Sequence, residues 1–145
     1  MSTVTQRVIS EALSWVGTPY QHQASRKGAG TDCLGLLRGV WRHVYGAEPE
    51  SVPAYTADWS EPQGREELLW AAERHLICKP TSDAAAGDVL LFRMRRGAVA
   101  KHLGLQVRAG QNAAFVHAYS GYGVTVSPLS EPWARRVVAR FSFPG

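Results

Sequence analysis

The chain has 145 residues, with sixteen Lys and Arg against twelve Asp and Glu, which gives a formal net charge of +4. With 45% hydrophobic and 19% charged residues, the composition predicts one globular domain over residues 1–145 and excludes disordered, collagen-like and coiled-coil chains. Two cysteines, Cys33 and Cys78, are too few for a disulfide scaffold. The basic balance indicates an acidic partner, such as cell wall, lipid headgroups or nucleic acid.

Neither a membrane span nor an export signal is evident in the sequence. The longest apolar stretches, such as Val89 to Phe92, have the length of a strand, whereas a spanning helix needs about 20 apolar residues. The N-terminus lacks a basic head followed by an apolar core and a small-residue cleavage site. We therefore expect a protein that is made in the cytoplasm without a signal peptide and is not inserted in a membrane.

The first half of the chain predicts helices. Apolar residues at Val4, Val8, Ala12 and either Trp15 or Val16 recur at helical spacing, with Ser2 or Thr3 as the cap and Gly17 as the end. A glycine-rich loop over 17–31 precedes a second helix from about residue 33 to 45, which Gly46 ends. Residues 46–63 contain three prolines and are expected to be irregular, and a third helix is predicted over about 64–77.

After residue 86 the pattern changes to short β-type runs separated by Gly, Asn or Pro turns. Five strands are predicted, in the runs GDVLLFRM, HLGLQVRA, AAFVHAYS, GVTVSP and ARRVVARFSF. Helices followed by a meander of about five antiparallel strands make an α+β fold.

Cys33 is the first candidate for a catalytic residue. It follows Asp32, a good N-cap type, and opens an apolar helix. The positive end of a helix stabilises a thiolate and lowers its pKa, which suits a nucleophile. The alternative is a buried structural cysteine. Cys78 has no comparable setting near the end of the third helix, and is expected to be a packing residue.

A nucleophilic cysteine needs a base, and the base needs a group that orients it. His102 opens one predicted strand and His117 lies near the end of the next, so the two imidazoles are expected to face each other across an antiparallel pair. The alternative is two unrelated strand histidines. His22 lies in the loop, and His43 and His75 are expected at helix surfaces.

The sequence offers little for metals, phosphates or nucleic acids. It contains no CxxC, no HExxH and no P-loop lysine. The basic runs MRRGAVAK and ARRVVAR are short, and they are expected to mark solvated faces and not a nucleic-acid stripe. No cofactor or metal is predicted.

The ordered set GTPY, GAGTDCLGLLRGVW, GDVLLF, HLGLQV and FVHA resembles the NlpC family of cell-wall cysteine peptidases over about residues 8–128. The resemblance implies a papain-like α+β fold. It implies a Cys33 nucleophile, a His102 base and His117 as the residue that orients the base. It also implies that Tyr20 lines the cleft and can help hold the oxyanion, and that Asp32 binds the substrate amine.

One departure from the family pattern affects specificity. The family usually has serine after the nucleophile, where this chain has Leu34. The sequence therefore does not determine which bond of the stem peptide is cleaved. The resemblance implies cleavage of peptidoglycan stem peptides, commonly between γ-D-glutamate and a diamino acid. A structural component with a vestigial site, or an acyltransferase or amidase on the same scaffold, are the alternatives.

A short helical insert expected around YTADW, together with the expected lack of a signal peptide, resembles the branch found in phage tails and gene-transfer-agent particles. The resemblance implies delivery to the periplasmic wall in a virion-like tail or baseplate, bound to tail proteins. Docking surfaces are expected in residues 46–63, which include Tyr55 and Trp59, and in the stretch from Trp133 to Phe143. The alternative is that these aromatic residues pack over the core.

Overall fold

The computed structural model describes residues 2–50, 55 and 64–145. The described residues form four helices: α1 (Thr3–Ser14), α2 (Cys33–Tyr45), α3 (Glu67–His75) and α4 (Glu131–Ala134). The strands are β1 (Ser25–Arg26), β2 (Gly30–Thr31), β3 (Ile77–Lys79), β4 (Val89–Arg93), β5 (Ala100–Arg108), β6 (Ala114–Tyr119), β7 (Gly123–Pro128) and β8 (Val137–Ser142). In this part of the chain, no helix has the length and apolar character needed to cross a membrane.

The two N-terminal helices begin and end as their sequences predict. Ser2 caps α1 by accepting a hydrogen bond from the Thr5 N–H at 3.1 Å, and Trp15, not Val16, faces the core. α2 ends at Gly46, where φ is +91°. α2 also approaches α1 closely, because Gly39 has no side chain: a Cβ there would lie 2.1 Å from the Trp15 ring.

Six strands form one antiparallel sheet in the order β3-β8-β4-β5-β6-β7. Side chains alternate between its two faces. One face packs against α1, α2 and α3 in the main core, which includes Val89, Leu91 and Leu103. On the opposite face of the sheet, Leu90, Phe92 and Phe115 form a second, smaller cluster, against which Trp133 packs.

The sheet differs from the expected five-stranded meander in two ways. The chain returns after β7 through α4, whose Trp133 packs on the second cluster, and β8 then pairs with β4. In addition, the predicted third helix stops at His75, and Ile77–Lys79 form a sixth strand on β8. Three largely exposed residues carry no readable alternation, so this edge strand is set by its pairing with β8.

Two smaller elements also depart from the predictions. The loop over residues 17–31 contains a short hairpin of β1 and β2. His102 is the third residue of β5 and not its first. Of the predicted irregular stretch, residues 51–54 and 56–63 lie outside the described residues, and they include Trp59 and most of the YTADW insert.

Candidate active site

Cys33 is the first residue of α2, and Asp32 caps that helix as predicted. Asp32 Oδ1 accepts a hydrogen bond from the Gly35 N–H at 2.7 Å. The capped turn lies directly under the glycine-rich loop: a Cβ on Gly35 would lie 1.9 Å from the Ala24 carbonyl oxygen. The loop therefore packs on the helix start and fixes the backbone that carries Cys33.

Asp32 is itself buried and fully engaged by the protein, with 2% of its surface exposed. Its Oδ2 accepts hydrogen bonds from the Gln23 N–H at 2.7 Å and from the Tyr55 hydroxyl. His22 Nδ1 lies 3.8 Å from the same oxygen. These contacts define a structural task for Asp32, which is to cap the helix and hold the loop. Binding of a substrate amine by Asp32 stays a prediction.

The sulfur of Cys33 lies close to the backbone of Leu103 on β5, the residue that follows His102. The backbone groups of Leu103, Leu34 and Cys33 itself lower the pKa of the thiol. Burial, with the Asp32 carboxylate contributing, nevertheless raises the pKa of the Cys33 thiol to about 12. The predicted lowering of this pKa is therefore wrong, because desolvation outweighs the helix N-terminus.

His102 and His117 form a hydrogen-bonded pair, as their spacing predicts. His102 Nε2 lies 2.8 Å from His117 Nδ1. The register Leu105↔Val116, continued by one residue, places His117 opposite Gly104 and diagonally across from His102. A Cβ on Gly104 would lie 2.7 Å from the Phe115 ring and 3.4 Å from the His117 Cβ. Gly104 thus leaves the space through which the two rings meet.

Ser127 on β7 extends this pair into a chain of three side chains. Its Oγ lies 2.8 Å from His117 Nε2. Sequence reasoning missed Ser127, since a lone serine in the run GVTVSP carries no chemical signal. Its position on the strand that pairs with β6 was the only available indication.

Trp133 covers the histidine pair from the second face of the sheet. Its ring centroid lies 5.9 Å from that of His102 and 5.2 Å from that of His117. Burial lowers the pKa of His102 to about 3, with His117 contributing, and lowers the pKa of His117 to about 4. Both rings are thus uncharged at neutral pH. Trp133, which was expected in a docking surface, instead packs against the second cluster.

Two tyrosines complete the surroundings of Cys33. Tyr20 forms a parallel bridge with Thr31, and burial raises the pKa of Tyr20 to about 12, with further contributions from Cys33 and Asp32. The pKa of Tyr55 is also raised, by burial and by its hydrogen bond to Asp32. Tyr20 therefore lies close enough to Cys33 to interact with it electrostatically, and its role in lining the cleft and holding the oxyanion stays a prediction. Tyr55 packs against the core and Asp32.

The other residues named from the sequence lie outside the bonded chain from His102 to Ser127. Leu34 is a core residue with 9% of its surface exposed. Cys78 is exposed on the edge strand β3, so its expected packing role is wrong. His43 and His75 lie at the surface in contact with Glu11 and Glu50, as predicted.

Phe143 is buried in the main core, which excludes it from a docking surface. Among residues 2–50, 55 and 64–145, no three His, Cys, Asp or Glu side chains cluster as metal ligands would.

A capped helix that presents a cysteine to an antiparallel sheet, with two bonded histidines on adjacent strands, is the arrangement of an NlpC/P60-type α+β domain. The family model for the NlpC/P60 family matches residues 17–142. The chain belongs to the NlpC/P60 family.

Relatives with assigned names are similar over most of this chain. It is 29% identical over 144 residues to a murein DD-endopeptidase/murein LD-carboxypeptidase, MepS, of Escherichia coli K12, covering 94% of this chain and 65% of the relative. It is 32% identical over 123 residues to a probable endopeptidase NlpC homolog of Haemophilus influenzae, covering 83% of this chain and 53% of the relative. The chain thus spans less than two thirds of the length of either relative.

A solved structure shows the same fold. The NlpC/p60 domain of the peptidoglycan hydrolase SagA superposes with a TM-score of 0.64 at 23% sequence identity, covering 96% of this chain and 98% of that domain.

Proposed function

We propose that this protein is a peptidoglycan hydrolase, a cysteine endopeptidase that cleaves amide bonds of the stem peptide through Cys33, His102 and His117. The observation that carries the proposal is the Cys33 sulfur beside the backbone of Leu103, the residue that follows His102, together with the bonded chain from His102 to His117 and Ser127. The names of the Escherichia coli and Haemophilus influenzae relatives support the same class of substrate.

The direction of the hydrogen bonds along this chain determines which nitrogen of His102 can act as the base. We assign the His117 Nε2–H as donor to Ser127 Oγ, which leaves His117 Nδ1 as acceptor for the His102 Nε2–H. The remaining nitrogen of His102, Nδ1, then carries the lone pair. His117 and Ser127 are thus positioning residues, which hold His102 in the tautomer that can take a proton.

The reaction starts from a neutral thiol and a neutral imidazole, because burial disfavours both charged forms. As the Cys33 sulfur attacks the amide carbonyl, its proton moves to His102 Nδ1 and a C–S bond forms. The oxyanion is stabilised by the Cys33 N–H at the start of α2, with the Tyr20 hydroxyl nearby. His102 then protonates the leaving amine, and water hydrolyses the thioester to a carboxylic acid and free thiol.

Digestion of purified peptidoglycan tests the proposal, with mass analysis of the soluble products. We expect new peptide amino and carboxyl ends, which identify the bond that is cleaved. Products that carry transferred acyl groups would instead indicate an acyltransferase. Release of amide ammonia without chain cleavage would indicate an amidase, and unchanged peptidoglycan would indicate a structural component with a vestigial site.

Delivery to the wall in a phage-like tail or gene-transfer-agent baseplate is a further part of the proposal, and it rests on the branch resemblance of the YTADW insert. Density-gradient fractionation of a producing culture, followed by blotting, is the test. We expect the protein in assembled particles. A signal confined to soluble fractions would contradict carriage and would leave the peptidase proposal intact.

A further inference from the structure

The positive charge of the chain is concentrated in two short segments, residues 93–101 and 133–137, which we call the basic surface. They contain six of the sixteen Lys and Arg residues and no Asp or Glu: Arg93, Arg95, Arg96, Lys101, Arg135 and Arg136. The remaining ten cations face twelve carboxylates. The rest of the chain therefore has a net charge of −2, and these two segments account for the basic character of the protein.

The fold brings the two segments together at one end of the sheet. The Arg93 N–H donates to the Arg136 carbonyl at 2.9 Å. Phe92 pairs with Val137 on one side of β4, and Arg93 pairs with Ala100 on the other. The turn between β4 and β5 and the approach to β8 therefore form one continuous surface, although 31 residues, 102–132, separate them in the sequence.

This surface adjoins the candidate active site. Lys101 directly precedes His102 on β5. The Arg136 guanidinium lies 5.5 Å from the ring centroid of Trp133, the side chain that covers the histidine pair. Arg93 is ion-paired with Glu66 at 2.7 Å, whereas the side chains of Arg95, Arg96, Arg135 and Arg136 are exposed.

We propose that the basic surface binds carboxylates on peptidoglycan strands beside the stem peptide in the active site, an inference that rests on the proposed function. A single exposed ion pair contributes little to binding. Several cations on one surface act together when the ligand is a polymer with repeated carboxylates, because each further contact forms at high local concentration. The surface would therefore hold the enzyme on the wall between cleavage events.

The test measures binding without turnover, in a Cys33→Ala background. Co-sedimentation with purified sacculi is compared for Arg96→Gln with Arg135→Gln and for a matched control, Arg26→Gln with Arg108→Gln. The control removes the same charge from exposed positions outside the basic surface, and Arg108 ends β5 at the opposite end from Ala100. We expect the first pair to weaken binding about fivefold or more and the control less than about twofold.

Two further arms identify the ligand. Sacculi whose carboxylates have been amidated should lose the binding that depends on Arg96 and Arg135, and added salt should weaken binding to untreated sacculi. Equal effects of the two double variants, or full binding to amidated sacculi, would overturn the proposal. Stronger binding to anionic lipid vesicles than to sacculi would assign the surface to a membrane and would also overturn it.

Cleavage of soluble muropeptides separates this inference from the proposed function. We expect the Arg96 and Arg135 variants, with Cys33 intact, to cleave them at the wild-type rate. A wild-type protein that cleaves muropeptides, with sacculus binding unaffected by both double variants, would contradict only the basic surface. Absence of any cleavage by the wild type would contradict the proposed function.

Discussion

Burial disfavours the charged form of Cys33 and also that of His102. Burial raises the pKa of the thiol to about 12 and lowers the pKa of the imidazole to about 3. A preformed thiolate–imidazolium pair is therefore not the resting state. In the proposed mechanism the proton moves during the attack, so His102 acts as a general base and not as the counterion of a stored thiolate.

Alkylation by iodoacetamide reports the state of this thiol. We expect the rate at Cys33 to rise about tenfold for each pH unit across the neutral range, without a plateau, because only the thiolate reacts. Peptide mass spectrometry measures the rate, and exposed Cys78 in the same sample controls for reagent quality. A plateau of the Cys33 rate near neutral pH would show a stabilised thiolate and contradict the raised pKa.

Ser127 gives a second prediction at this scale. Ser127→Ala removes the oxygen that holds His117 Nε2, so the fraction of His102 in the required tautomer falls. We expect kcat to fall between about two- and tenfold, the range of one hydrogen bond, with KM unchanged. Ser130→Ala, at an exposed serine without a side-chain cap bond, is the control. An unchanged kcat in Ser127→Ala would remove Ser127 from the positioning chain.

The sequence predicted these residues to different degrees. Cys33 and the histidine pair could be predicted from the sequence, because a capped helix start and a 15-residue separation across one turn are local patterns. Ser127 and Tyr55 could not, because their contacts join segments whose approach depends on sheet pairing and on loop packing. The pKa of Cys33 was predicted in the wrong direction, since a helix N-terminus is readable from sequence while the burial of the sulfur is not.

Among the elements, β5 and β6 determine whether the histidines can meet. Their diagonal contact depends on Gly104, because a Cβ there would lie 2.7 Å from the Phe115 ring. The alternation of apolar residues predicted both strands, but it gave no reason for a glycine at this point. The alternation also failed to predict β3, because its three residues show no alternation and form a strand through their pairing with β8.

Gly104→Ala tests whether the diagonal contact between the two histidines depends on this glycine. The added methyl group displaces Phe115 and with it His117, so we expect kcat to fall at least tenfold, while overpacking lowers the free energy of unfolding by about 1–3 kcal/mol. Steady-state kinetics and urea unfolding provide the two measurements. Gly145→Ala, where nothing lies within 4 Å, is the control. Wild-type kcat in Gly104→Ala would show that the diagonal contact does not depend on this glycine.

For the whole molecule, the buried histidines link stability to pH. An unfolded histidine binds a proton below its ordinary pKa of about 6.5, whereas burial in the fold lowers the pKa of His102 to about 3. Between these values the unfolded state binds more protons. The stability contributed by neutral His102 is therefore complete above about pH 6.5 and is lost as the pH falls toward 3.

We expect the free energy of unfolding to fall with acid, with His102 contributing up to about 1.4 kcal/mol per pH unit in this window. Urea unfolding at several pH values measures the slope. His102→Gln should flatten it. Equal slopes for the wild type and His102→Gln would contradict the burial of a neutral imidazole.

The central claim is that Cys33, and not merely the fold, carries the chemistry. Its most direct test is the initial rate of muropeptide cleavage by Cys33→Ala beside Cys78→Ala, with circular dichroism to verify folding. We expect no turnover above background in Cys33→Ala and the wild-type rate in Cys78→Ala, because Cys78 lies exposed on an edge strand away from the histidine pair. Wild-type cleavage by folded Cys33→Ala would contradict a Cys33 nucleophile.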